Sequence, residues 1–348
     1  MGYCLSLWKT LRRGKYFLLL LLCLSVVAWI AIFSSETVKS QRVFSTTMQT
    51  FRKGDVWGNI SFWSSLTDCS TSSPVKVDCP EESPLLQGAM KLAFDPSLTL
   101  KDVELENKAV TEGQYKPPDC TARQSIAILI PFRNREKHLL YLLHHLHPFL
   151  QRQQRHYAIY VIQQAGDATF NRAKLLNVGF LEAQKDYSWG CFIFHDVDLV
   201  PENDHNLYKC DKYPRHLVVG RNSTGYKLRY RGYFGGVTAL SKDQFDQVNG
   251  FSNSYWGWGG EDDDLRVRVE LQKMKIIRPP DEVARYTMVF HKRDSGNKIN
   301  GNRMKMLRQT AQVWRKDGLS SCSYKVLSLE RSILYVNVTV DIGEPQLS

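Results

Sequence analysis

The first pattern along the chain is an uncharged apolar run over residues 17–33, FLLLLLCLSVVAWIAIF, directly after four cations, Lys9, Arg12, Arg13 and Lys15. A run of this length lies at the short end for a membrane-spanning helix and exceeds the usual apolar core of a cleaved signal peptide. It is also followed by a poor small-residue cleavage site, so an uncleaved anchor is expected. Because the cations collect on its amino-terminal side, residues 1–16 are expected in the cytoplasm and the bulk of the chain across the membrane, a type II topology. Residues 34–78 lack sustained periodicity, and sixteen of the forty-two residues from 34 to 75 are Ser or Thr. That composition predicts a stem, with the globular domain spanning 79–348.

Within that domain the period of the apolar positions switches regularly. Ile126 to Ile130 is a short continuous apolar run ended by Pro131, as expected of a strand buried on both faces. Leu139, Leu142, Leu143, Leu146 and Leu150 then recur at helical spacing within 134–153. Strands at 157–162 and 191–195 bracket a second helix at 173–184, giving a β-α-β-α-β unit. The fold class predicted is α/β with a mostly parallel central sheet, whose ligands bind at the carboxyl ends of the strands. Neither GxGxxG nor GxxxxGK[ST] occurs, which disfavours a dinucleotide or a P-loop triphosphate and leaves other phosphate-bearing ligands open.

Composition narrows the partners. The 348 residues carry a net charge of +11, of which the four cations before residue 17 supply a part that no acid offsets. The remaining Lys and Arg are scattered, and no zinc-finger, basic-zipper or RNP pattern occurs, so no nucleic acid partner is expected. Beyond the apolar run lie six cysteines, Cys69, Cys79, Cys120, Cys191, Cys210 and Cys322. An even count in a lumenal context suggests disulfides of open connectivity, and the sequons at Asn59, Asn222 and Asn337 suit the same compartment.

Candidate chemistry gathers at the strand ends. Asp196 and Asp198 follow the third strand, where a carboxylate suits a divalent cation that bridges to diphosphate, or simply caps a loop. Arg133, Arg135 and Arg172 flank the same edge, with Phe170 able to pack on a base. The stretch 256–264, WGWGGEDDD, places four consecutive acids at a helix start. One or two of them serve as caps; bringing all four together raises a carboxylate pKa toward the range of a general base. By spacing alone Met288 reads as core and His291 is ambiguous.

The chain resembles the β-1,4-galactosyltransferase family through IPFRNRE (130–136), FNRAKLLNVGF (170–180), DVDL (196–199), YFGGV (233–237) and WGWGGEDDD (256–264). The resemblance runs from about Cys79 to the carboxyl terminus and implies a GT-A-like nucleotide-sugar-binding fold. It also implies inverting, Mn²⁺-dependent transfer of galactose from UDP-galactose to the 4-hydroxyl of terminal N-acetylglucosamine on glycoproteins or glycolipids, in the Golgi membrane. Use of UDP-N-acetylgalactosamine, or glycan binding without turnover, are the alternatives. Carried over residue by residue, the family pattern implies that the donor is held by Pro131, Phe132, Arg133, Asn134, Arg135, Phe170, Asn171 and Arg172. Val197, Asp198, Tyr233, Trp258, His291, Lys292 and Arg293 join them. Tyr233 matches members that use galactose. The metal would be held by Asp198, Met288 and His291, the acceptor by Gly260, Glu261, Asp262, Asp263 and Arg303, and Asp262 would be the catalytic base. The family's disulfides correspond to Cys79–Cys120 and Cys191–Cys210, which leaves Cys69 and Cys322 unassigned.

Overall fold

The computed structural model describes residues 76–292 and 296–345. The expected tail and anchor, and the stem up to residue 75, lie outside the described residues, among which no helix is long and apolar enough to cross a membrane. In chain order the elements are α1 (Leu100–Glu106), β1 (Gln114–Tyr115), β2 (Ser125–Phe132), α2 (Glu136–Arg152), β3 (His156–Gln164) and α3 (Arg172–Asp186). Next come β4 (Cys191–His195), β5 (Leu199–Pro201), β6 (Arg215–His216), β7 (Gly220–Arg221), β8 (Val237–Ser241) and α4 (Lys242–Gln247). They are followed by α5 (Glu261–Leu271), β9 (Arg285–Met288), α6 (Arg303–Val313), β10 (Lys325–Arg331) and β11 (Val336–Asp341).

The β-α-β-α-β unit is β2-α2-β3-α3-β4. In the parallel ladder Leu129 pairs with Tyr160 on one side and Phe194 on the other. β2 alternates between two cores: Ile126, Ile128 and Ile130 pack with the leucines of α2, and Ala127 and Leu129 with Leu175, Leu176 and Phe180 of α3. Both faces are therefore dry, which is why the strand reads as a continuous apolar run. It continues through Pro131, where an end was expected. The ladder to β4 stops at Leu129 while that to β3 reaches Phe132, and a residue without an N–H is tolerated where a strand has one partner.

The sheet is mixed, not mostly parallel. Its order is β10-β11-β3-β2-β4-β8-β6, with β1 paired to β3. The central strands β11-β3-β2-β4 are parallel, whereas β1, β6, β8 and β10 join antiparallel. Strands that follow one another in the chain run parallel when a crossover returns the chain, as α2 and α3 do between β2, β3 and β4. The chain after β4 instead passes through the irregular segment 202–236 before β8 returns alongside β4. That excursion contributes β7 to a small second sheet, β5-β9-β7, beside the carboxyl ends of the parallel strands. Disulfides Cys79–Cys120 and Cys191–Cys210 are formed, Cys322 is a partly buried free thiol, and Cys69 lies outside the described residues.

Candidate active site

A cavity of about 850 Å³ opens where β2, β3 and β4 end, walled opposite by the amino-termini of α5 and α6 and by β7 and β9. Its floor is charged. Arg172, the first residue of α3, is placed there because Asn171 caps the helix by accepting from the Lys174 amide at 2.9 Å. The guanidinium donates to Asp196 Oδ1 at 2.6 Å and Asp262 Oδ1 at 3.1 Å.

The four acids divide their labour at the start of α5. The helix begins on Gly260 with φ of 102°, a left-handed conformation open to glycine, and all four acids occupy its first turn. Asp264 is buried and fixed by Arg268 at 2.5 Å and Thr310 at 2.6 Å, so it serves packing. Asp263 accepts from Tyr230 at 3.0 Å. Glu261 is buried, and among the described residues its Oε2 has no hydrogen-bond partner. Asp262 faces the cavity. Burial raises its pKa and Arg172 pulls it back, but the neighbouring Glu261, Asp196 and Asp263 carboxylates leave it pushed up to about 8. Gly235 makes its position possible, because a Cβ there would collide with the Asp262 carboxylate.

On the far rim β5 and β9 are antiparallel, with Leu199 opposite Met288, and the Val289 amide donates to the Asp198 carbonyl at 2.8 Å. This pairing holds Asp198 beside Met288, and His291 Nε2 lies 3.2 Å from Asp198 Oδ2. A carboxylate and an imidazole suit a first-row divalent ion; the thioether is the soft member of the set. The three fit such an ion provided that other oxygens complete its shell, since among the described residues no three His, Cys, Asp or Glu side chains converge as a cage.

Two family profiles match consecutive stretches, one described as the N-terminal region of glycosyl transferase group 7 over residues 79–211 and one as the N-terminal domain of galactosyltransferase over 215–292. Beta-1,4-galactosyltransferase 4 of Homo sapiens is 60% identical over 334 residues, covering 94% of this chain and 95% of the relative. The chain belongs to the β-1,4-galactosyltransferase family. It is a glycosyltransferase, and its fold is GT-A-like with a mixed sheet. The catalytic domain of Drosophila β1,4-galactosyltransferase 7, solved in complex with xylobiose, is 30% identical with a TM-score of 0.56, covering 63% of this chain and 94% of that one. A mutant of that enzyme in complex with manganese, UDP-Gal and xylobiose matches with a TM-score of 0.55 at the same identity and coverage.

In this galactosyltransferase family member, most of the residues expected at the site line the cavity. Phe132, Asn134, Asn171 and Lys292 do not. Phe132 packs in the core beneath α2, and Asn134 is exposed, with φ of 52°. Asn171 is the α3 cap, and Lys292 approaches through its carbonyl, 3.4 Å from the Arg135 guanidinium. Arg293 lies outside the described residues. Arg133 lines the cavity but donates to the Ala168 carbonyl at 2.6 Å and the Gly296 carbonyl at 3.2 Å, and it stacks on Phe170 with its guanidinium 5.0 Å from the ring centroid. Trp258 is bound to the following segment, its amide donating to the Lys298 carbonyl at 2.8 Å.

Sequence reasoning missed Arg221, Arg229, Tyr230, Phe290, Met304 and Leu307, and gave Asp196 no role beyond a carboxylate at the sheet edge; all of them line the cavity. A signal existed for part of this set. Residues 221–231 hold four cations, Arg221, Lys227, Arg229 and Arg231, a local cluster that the reading of scattered charge overlooked.

Proposed function

We propose that the chain transfers galactose from UDP-galactose to the 4-hydroxyl of terminal N-acetylglucosamine on glycoprotein or glycolipid glycans, with inversion, forming a β-1,4 linkage. Asp262 carries this reading. It is a carboxylate at the cavity whose pKa of about 8 lies near neutral pH, where a general base works best. Arg172 holds its Oδ1, so Oδ2 takes the proton from the acceptor hydroxyl as that oxygen attacks the anomeric carbon. One displacement turns an α-linked donor into a β-linked product. The unpartnered Oε2 of Glu261 is satisfied by a hydroxyl of the bound acceptor. Arg303, Met304 and Leu307 on one end of α6 offer a cation beside two apolar side chains, which suits an N-acetyl group.

For the donor, Phe170 and the guanidinium groups of Arg133 and Arg135 supply the flat apolar face and the charge that a nucleoside diphosphate takes. Tyr233 walls the position next to the galactose 2-hydroxyl and disfavours an N-acetyl group there. Asp198, Met288 and His291 would hold a divalent ion, Mn²⁺ in this reading, which when bound stabilises the charge of the departing diphosphate. The Drosophila enzyme crystallised with manganese, UDP-Gal and xylobiose supports the donor and the metal. Residues 17–33 tether the enzyme in the Golgi membrane with its catalytic domain in the lumen, where the two disulfides persist.

The test is incubation of the full chain with UDP-galactose and N-acetylglucosamine, with and without Mn²⁺, and NMR of the product. A β-1,4-linked disaccharide formed only with the metal is expected. Absence of transfer, or preferential use of UDP-N-acetylgalactosamine, would overturn the reading.

A further inference from the structure

Arg221 has no role in the mechanism above, and no motif pointed to it. It ends β7, whose parallel register against β9 sets it beside Tyr286, two residues from Met288. Its side chain reaches into the cavity between two groups of the donor side. One terminal nitrogen donates to the Tyr233 hydroxyl at 2.7 Å, and the other approaches the Met288 sulfur at 3.7 Å. The Tyr233 ring is held on several sides: His216 meets it edge-on at 5.2 Å, Tyr230 packs at 5.4 Å, and the Arg229 guanidinium lies 5.4 Å from its centroid.

A guanidinium carries only donors. The Tyr233 oxygen must therefore accept from Arg221, and its own proton is directed elsewhere. Among the described residues that hydroxyl makes no second hydrogen bond, while the residue, 4% exposed, lines the cavity. We propose that Arg221 is a positioning residue for the donor, which caps the Tyr233 oxygen so that the phenol proton stands as a fixed donor to an oxygen of the bound nucleotide sugar. This rests on the reading that Tyr233 walls the donor sugar. The oxygen belongs either to a sugar hydroxyl or to the diphosphate, and the chemistry of the bond is the same.

The test is a double-mutant cycle on the full chain, read by calorimetric affinity for UDP-galactose with Mn²⁺ and without acceptor, so that turnover is not needed. Tyr233→Phe and Arg221→Met should each weaken binding about tenfold, the size of losing one charge-assisted hydrogen bond. The double variant should bind no worse than Tyr233→Phe alone, because Arg221 acts through the hydroxyl. Arg221→Lys, which retains a donor and the charge, should keep most of the affinity and replaces Arg221→Met if that variant melts early. Additive losses, or Arg221→Met binding as the wild type does, would overturn the proposal by making Arg221 an independent contact or a loop prop. A parallel titration with UDP locates the bond: an equal loss puts the acceptor on the diphosphate, and no loss puts it on the sugar. A wild-type chain that binds UDP-galactose but transfers none would refute the function reading and leave the cycle interpretable.

Discussion

Substituting alanine for Gly235 adds one methyl group at the most crowded point behind the candidate base. Built on this backbone, the new Cβ would lie 2.8 Å from Asp262 Oδ1 and nearer still to Oδ2 and the carboxyl carbon, where ordinary contact begins at 3.4 Å. The backbone at 235 is poorly placed to yield. Its carbonyl accepts from His216 at 2.9 Å and from the Val237 amide at 3.1 Å, and β8 follows directly. The Asp262 carboxylate must therefore withdraw by more than about 1 Å, and a misplacement of that size at the reacting group costs on the order of 10²-fold in rate. Overpacking of this kind costs about 1–3 kcal/mol, less than the roughly 5–15 kcal/mol that holds a domain folded. Gly235→Ala should thus remain folded, bind UDP-galactose normally and lose kcat. Steady-state kinetics at saturating donor, with a melting curve and donor calorimetry alongside, checks this. A folded variant with wild-type kcat would refute the argument and move the base away from Asp262.

Three further outcomes follow from the same geometry. Asp198→Ala should lose Mn²⁺-dependent turnover with little change in melting temperature, because the nearby Asp196 is engaged by Arg172 at 2.6 Å; a Mn²⁺ titration of rate that matches the wild type would exclude Asp198. Tyr233→Leu should raise the use of UDP-N-acetylgalactosamine relative to UDP-galactose by shortening the donor wall, and an unchanged kcat/KM ratio would assign that preference elsewhere. The third concerns pH. Asp262 sits at about 8 when folded against 3.8 ordinarily, so the folded protein binds the proton more tightly and loses stability as pH rises between those values. Asp262→Asn lacks that loss and should melt above the wild type at alkaline pH, with the difference closing toward pH 4; a constant difference across the range would contradict the raised pKa.

The buried parallel unit was legible because its pattern is local. A strand covered on both faces must be apolar throughout, and β4 was read at Cys191–His195 with its observed bounds. The antiparallel additions were not legible in the same way. β6 and β7 have two residues each, too short to show a period, and their pairing depends on where the irregular segment 202–236 places them. The site divides along the same line. Of the residues that line the cavity, those at the ends of the parallel strands and at the start of α5 are the ones the sequence singles out, whereas Arg221 and Arg229 stand on the excursion that carries no regular pattern. The engagement of Arg172 by Asp196 and Asp262 was hidden as well, since it joins residues 24 and 90 positions apart. Residue type at a strand end says that a cation is available there, and only the fold says which anion holds it.

The central claim is that Asp262 removes the proton from the acceptor hydroxyl during galactose transfer. Its most direct test is kcat/KM for N-acetylglucosamine, at saturating UDP-galactose and Mn²⁺, across roughly pH 6 to 9 for the wild type and Asp262→Asn. The account predicts that the wild-type value rises with pH as Asp262 deprotonates. The variant should be slower by about 10²-fold or more, with that pH limb abolished and donor affinity retained. An Asn variant that keeps wild-type activity and the same rise with pH would contradict it.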